Sequence, residues 1–211
     1  MQLVRDFFLE IERRWRLQTR PDKIRLSLIG CGALLLQCDY QRGTKDSDVF
    51  ETTDLLEETK TELRALAGKG TDLAARHRHY IDIVANGIPF LPHAPRWHPL
   101  PQINAQLTRF ELFALDVVDV VVSKLKRFSA DDQSDIDAMI DRGLVPHDRL
   151  LERFRDAVDM FSGDARASDL PKYVENLHRA EVQCQHIADE NSARTSLTGA
   201  HGQCPGRSTV S

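Results

Sequence analysis

Residues Ile24 to Ile29 form an apolar, β-branched run that ends directly on Gly30-Cys31-Gly32, and Ala33-Leu34-Leu35-Leu36 follows without a polar break. This order predicts a buried strand, a glycine turn and a helix. Such a junction brings backbone N–H groups and a helix N-terminus to one point, an environment that favours an anion. The segment Arg42-Gly43-Thr44-Lys45-Asp46-Ser47-Asp48-Val49-Phe50 comes next. It reads as a turn entering a short strand with carboxylates at alternate positions. Residues i and i+2 of a strand share a face, so Asp46 and Asp48 stand side by side. Two like charges held together repel unless a cation lies between them. Hard divalent ions such as Mg²⁺ take oxygen ligands, usually a few carboxylates plus substrate phosphates.

A third carboxylate, Asp82, sits inside the apolar run Tyr80-Ile81-Asp82-Ile83-Val84. A strand is expected over His79 to Val84. Ile81 and Ile83 would face the opposite side, so Asp82 need not enter the core. A strand-borne Asp beside an Asp-x-Asp pair is the arrangement that two-metal phosphoryl transfer requires.

The remaining elements follow from periodicity. Leu3, Phe7, Ile11 and Trp15 recur every fourth residue, which predicts one helical stripe over residues 3 to 18. Arg13, Arg14 and Arg16 fall in its last turns, where cations suit the helix dipole. Leu55, Leu56, Leu63 and Leu66 predict a helix over about 54 to 67, ended by Gly68 and Gly70. Five prolines between Pro89 and Pro101 predict a long non-regular excursion. Leu107, Arg109, Glu111 and Phe113 alternate as a strand returning to the sheet. Beyond residue 114 the pattern is helical. Leu115, Val118, Val122 and Leu125 mark one helix, and Ile136, Met139 and Ile140 a second, closed by Gly143. Leu150, Leu151, Phe154 and Val158 mark a third, and a fourth is expected from about 169 to 189. Residues 191 to 211 are rich in Ser, Thr and Gly without an aromatic residue, and read as a disordered tail.

Several classes are excluded by composition. No apolar run approaches the roughly 18 residues of a membrane span. The first 20 residues carry Asp6, Glu10 and Glu12, unlike a secretory signal. Cys31, Cys38, Cys184 and Cys204 form no CxxC pair, which argues against a zinc ribbon or disulfide scaffold and for a reducing cytoplasm. The net charge of −4 would not suit a whole-surface nucleic-acid binder. Its distribution is uneven, however: residues 1 to 113 carry +1 and residues 114 to 211 carry −5. Without the three proposed metal ligands the first part would be +4, a balance compatible with phosphates.

The strand, the Gly-Cys-Gly-Ala-Leu turn, Arg42-x-Thr44-x-Asp46-x-Asp48 and the strand bearing Asp82 together resemble the nucleotidyltransferase superfamily with its DNA polymerase β-like fold. The Arg-x-Thr-x-Asp-x-Asp pattern looks more narrowly like the AbiEii/MenT toxin-type branch and its uncharacterised relatives. Asp119-Val-Val-Val-Ser-Lys124-Leu-Lys126-Arg127, followed by Asp131-Asp132-x-x-Asp135-Ile136, matches the Lys-bearing and acidic helices of that branch. The resemblance spans about residues 24 to 155, with Cys31 standing where relatives usually have Gly or Ser.

An α/β (α+β) architecture is implied: a small mixed sheet with flanking helices plus a C-terminal helical bundle. Residues 1–113 would form the catalytic core, 114–190 the helical region that completes the active site, and 191–211 the tail. The implied activity is Mg²⁺-dependent transfer of a nucleotide from an NTP to an acceptor hydroxyl. Asp46 and Asp48 would hold the ion that carries the triphosphate, and Asp82 would complete a second site. The Gly30, Cys31 and Gly32 backbone, with Arg42 or Thr44, would steady the phosphates. Lys124 would neutralise developing charge, and Asp132 or Asp135 would orient Lys124 or contact the acceptor. The acceptor would be a tRNA end or a protein, reached along a basic path if Arg13, Arg14 and Arg16 cluster with Lys124, Lys126 and Arg127. The branch also brings the expectation of a toxin role with an antitoxin partner.

Blander readings stand beside these. Asp46 and Asp48 also suit a turn and strand start. Lys124, Lys126 and Arg127 also suit a solvated helix face, and Asp131, Asp132 and Asp135 the first turn of a helix. Cys31 reads as a small filler, His77 and His79 as surface strand residues, and Trp15 and Trp97 as core or interface. Two other functions remain open. One is an antibiotic-modifying adenylyltransferase that binds a cationic drug through Asp131, Asp132 and Asp135. The other is a non-catalytic binding module.

Overall fold

The computed structural model describes residues 2–16, 23–40 and 42–183. The apolar run of residues 24 to 29 is strand β1 (Ile24–Ile29), in which Leu26 and Leu28 are fully buried. Burial of each such side chain contributes about 1.5–3 kcal/mol. Helix α2 (Gly30–Cys38) starts without a linker, and β2 (Asp46–Phe50) returns antiparallel to β1, with Ile29 opposite Asp48. β3 (Tyr80–Val84) lies parallel to β2 as the edge strand. On the other side β5 (Phe110–Leu115) runs parallel to β1, and β4 (Trp97–Pro99) closes that edge antiparallel to β5. The sheet order is therefore β3-β2-β1-β5-β4. A three-residue strand ending in proline makes β4 a poor template for further pairing.

Helix α1 (Gln2–Arg14) packs with α3 (Glu57–Ala67) and α4 (Asp72–His77), and α3 and α4 pack on β3. Helix α1 is shorter than the stripe suggested. Phe7, Ile11 and Trp15 are buried, but Leu3 is exposed and Val4 and Phe8 take its place. Glu12 is buried because its carboxylate accepts from the Thr108 and Arg109 backbone N–H groups and the Thr108 hydroxyl, which fixes the approach to β5. Helix α4 was not anticipated. It is held by a Thr71 side chain that accepts from the Ala74 N–H.

Pro89 to Pro101 is not the wholly irregular excursion expected. It contains β4 and leads into the short helix α5 (Pro101–Asn104). β5 covers Phe110–Leu115 rather than the expected Leu107 to Phe113. Phe110, Leu112 and Ala114 point into the core, whereas Phe113 lies on the other face beneath the Arg25 guanidinium, 4.0 Å from its ring centroid. Both neighbours of β5 are strands, so register rather than local alternation decides which set is covered.

The second half is helical as expected: α6 (Val117–Lys124), α7 (Ala130–Asp141), α8 (His147–Phe161) and a helix over residues 170–183, here α9. Its inward residues are Tyr173, Leu177 and Ala180, while Val174 is partly exposed. Phe90 knits the halves together, with Phe154, Phe161 and Tyr173 around its ring. The expected tail, residues 191–211, and the continuation of α9 toward 189 lie outside the described residues. Among the described residues no helix is long and apolar enough to cross a membrane.

Candidate active site

Sheet register assembles the carboxylates. Asp46 and Asp48 lie on one face of β2, and the parallel pairing of β3 sets Tyr80 beside Asp46 and Asp82 beside Asp48. Ser47 and Ile81, between them, are buried on the opposite face. Asp48 is largely buried. Burial and the charges of Asp46 and Asp82 push its carboxyl up from the ordinary range to about 6. The Thr44 hydroxyl donates to Asp46 Oδ1 at 2.8 Å, and the Tyr80 hydroxyl to Asp46 Oδ2 at 3.4 Å. Thr44 is therefore engaged in orienting Asp46.

The glycines of the turn are needed for closeness to β2. Gly30 has φ +63, and a Cβ there would stand 2.8 Å from Asp48 Oδ2. A Cβ on Gly32 would stand 3.2 Å from Ser47 Oγ. Only a residue without a side chain lets the start of α2 lie against the carboxylate strand. Cys31 also faces the cleft, where burial and the charge of Asp135 push its thiol up to about 11. That suits the filler reading, since a thiol so poised is not a nucleophile.

Facing the carboxylates is a cleft of about 730 Å³ whose lining includes Gly30, Asp48, Lys124, Arg127, Ile88 and Lys172. Lys124, 8 % exposed, reaches Asp132 at 3.1 Å and Asp135 at 2.8 Å. Arg127 bonds Asp132 with two nitrogens, at 2.6 and 2.8 Å. Arg42 pairs with Asp135 and with Asp131. The Tyr40 hydroxyl donates to Asp135 at 3.1 Å. Asp132 also completes the capping box of α7 with Ser129. Burial works against its charge, but the hydrogen bonds of Arg127, Ser129 and Lys124 hold its carboxyl well below the usual range. Asp132 thus serves the helix cap and the lysine at once, so the two readings of the acidic helix are not exclusive.

Two expectations are corrected. His77 and His79 are not a surface pair. His77 ends α4 against the Phe7 ring. His79 is buried beneath β2, where it bonds Ser47 Oγ at 2.8 Å and packs on Phe7. Burial lowers its pKa, so it is held neutral. Likewise, the two arginine and lysine groups do not merge. Arg13, Arg14 and Arg16 line another concavity with Trp15, Glu62 and Leu66, whereas Lys124, Lys126 and Arg127 line the carboxylate cleft. Trp15 is core against Phe110, and Trp97 packs on Phe50.

The sequence reading overlooked Tyr80, although the spacing that joined Asp46 to Asp48 also joins Tyr80 to Asp82. Among the described residues, no three His, Cys, Asp or Glu side chains stand close enough as placed to enclose a metal ion. The donor chemistry nevertheless fits a hard divalent cation. Three acidic side chains share one face, and burial together with its two acidic neighbours raises the Asp48 carboxyl despite Lys124 and Arg127.

A mixed sheet whose glycine turn packs against an Asp-x-Asp strand, with a third Asp in register beside it, agrees with the resemblance drawn from the sequence. The family can be given as well. The chain belongs to the family described as nucleotidyltransferase of unknown function (DUF6036), whose model matches residues 6–183. No curated protein and no solved structure matches it.

Proposed function

We propose that the protein is a Mg²⁺-dependent enzyme that transfers a nucleotide from an NTP to an acceptor hydroxyl on a tRNA end or a protein, in the manner of toxin-type nucleotidyltransferases. The observation that carries this reading is the in-register face of Asp46, Asp48 and Asp82 beside a cleft with Lys124 and Arg127 in its wall. Asp46 and Asp48, with Asp82, would hold the metal, which when bound neutralises phosphate charge and activates an attacking hydroxyl. Lys124, fixed by two buried carboxylates, would present a positioned charge to the phosphates without reorganising. Arg127 stands at the same wall and is the more exposed of the two. The chemistry is in-line displacement at the α-phosphorus with release of pyrophosphate, and the residues act mainly by positioning and electrostatics.

The antibiotic reading has less support. Asp132 and Asp135, which would attract a cationic drug, are already paired with Lys124, Arg127 and Arg42. Incubation with labelled NTPs, Mg²⁺ and separately total tRNA, protein or an aminoglycoside panel tests the proposal. Label is expected on tRNA or protein and is lost in Asp46→Ala. Label on the drug panel alone, or labelling unchanged by Asp46→Ala, would overturn it.

A further inference from the structure

The cleft approaches the carboxylate face from the side of β1 and α2, where the glycine turn, Lys124 and Arg127 lie. The opposite side is the sheet edge, β3, and it carries a hydroxyl. Tyr80 pairs with Asp46 in the β2–β3 register, is only partly buried, and donates to Asp46 Oδ2 at 3.4 Å. The other hydroxyls named around the site are buried or bonded to backbone oxygens. Thr44 is tied to both the backbone oxygen and the carboxylate of Asp46. Ser47 is buried on the far face against His79. Ser123 donates to the Val120 carbonyl. Tyr40 and Tyr173 are buried. In-line displacement requires the attacking oxygen opposite the leaving group. A triphosphate seated in the cleft on the α2 side of Asp46 and Asp48 would have the Tyr80 oxygen, bonded to the other side of Asp46, as the hydroxyl across from it.

We propose that Tyr80 is itself an acceptor, and that the protein transfers a nucleoside monophosphate from an NTP onto its own Tyr80 phenol. This rests on the nucleotidyl-transfer reading of the same site. The phenolic oxygen forms a bond to the α-phosphorus. The bond from that phosphorus to the oxygen bridging the β-phosphate breaks, and pyrophosphate leaves with the electron pair. The phenolic proton leaves to water as the bond forms. No electrons are exchanged and no further reactant is needed. The product is a tyrosyl phosphodiester lying over Asp46, so each chain carries one such group and its site is thereby covered.

The full-length protein is incubated with Mg²⁺ and ATP, GTP, CTP or UTP in turn, and intact mass, peptide mapping and calorimetric NTP binding are measured on the same samples. The expected result is a gain of one nucleoside monophosphate, mapped to Tyr80. In Tyr80→Phe, which keeps the ring and its packing, NTP still binds while the adduct falls at least about ten-fold. Asp48→Asn also loses the adduct. NTP binding or labelling of an added acceptor without any mass gain would overturn the proposal and leave the transfer reading standing. So would an adduct on another residue, or equal modification of Tyr80→Phe. Absence of NTP binding would overturn both.

Discussion

Gly30→Ala separates backbone strain from damage to the site. At φ +63 a residue with a Cβ loses about 1–2 kcal/mol. For a domain of this size that lowers the melting temperature by about 2–8 °C. The added Cβ would also stand 2.8 Å from Asp48 Oδ2, where ordinary contact begins at 3.4 Å. The carboxylate must retreat by about 0.6 Å. Since a 1 Å misplacement of a reacting group costs about 10²-fold, a loss of about ten-fold or more in transfer rate follows. Gly70→Ala is the matched control. Gly70 has φ +88, but nothing lies within 4 Å of its Cβ position. Both variants should melt earlier by similar amounts in a thermal scan, and only Gly30→Ala should lose kcat/KM for transfer of labelled nucleotide. Equal transfer by the two variants would refute the close packing of the turn on Asp48 as the reason for this glycine.

Other outcomes follow from the same geometry. Asp132→Asn leaves Lys124 with Asp135 alone and the exposed Arg127 without its carboxylate, and should cost about 1–3 kcal/mol at pH 7 by urea denaturation. The Asp132 pKa is depressed in the folded state, so its stabilisation is present above the ordinary carboxylate range and fades as pH falls below it. The deficit of the variant should therefore shrink by pH 3, and an equal deficit at both pH values would count against the ion pair. Cys31, with its thiol raised to about 11, should be alkylated by iodoacetamide at pH 8 about 10²-fold more slowly than an unhindered cysteine. Its rate should climb toward pH 11, as read by peptide mass spectrometry. Glu12→Ala strips the acceptor from Thr108 and Arg109 and should cost about 1–3 kcal/mol in denaturant melts.

The features that could be read in the sequence were those set by short-range rules. The β1–turn–α2 junction and the shared face of Asp46 and Asp48 need only strand and helix periodicity. The approach of Asp82 needs the β2–β3 register, which the sequence marks by the Asp itself but does not derive. His79 was misjudged because its burial comes from Phe7 on α1 and Ser47 on β2, both distant in sequence. Arg13, Arg14 and Arg16 looked like one path with Lys124, Lys126 and Arg127 because charge shows no direction until the helices are placed. The dual duty of Asp132 was half visible, since Ser129 three residues before it is a capping signature.

The most direct measurement uses NTP labelled in parallel at the α- or the γ-phosphate, incubated with Mg²⁺ and total tRNA or protein. If the face of Asp46, Asp48 and Asp82 performs nucleotidyl transfer, the α label joins the acceptor and the γ label leaves as pyrophosphate. Asp48→Asn then incorporates neither. Incorporation of the γ label, or α-label incorporation undiminished in Asp48→Asn, would contradict it.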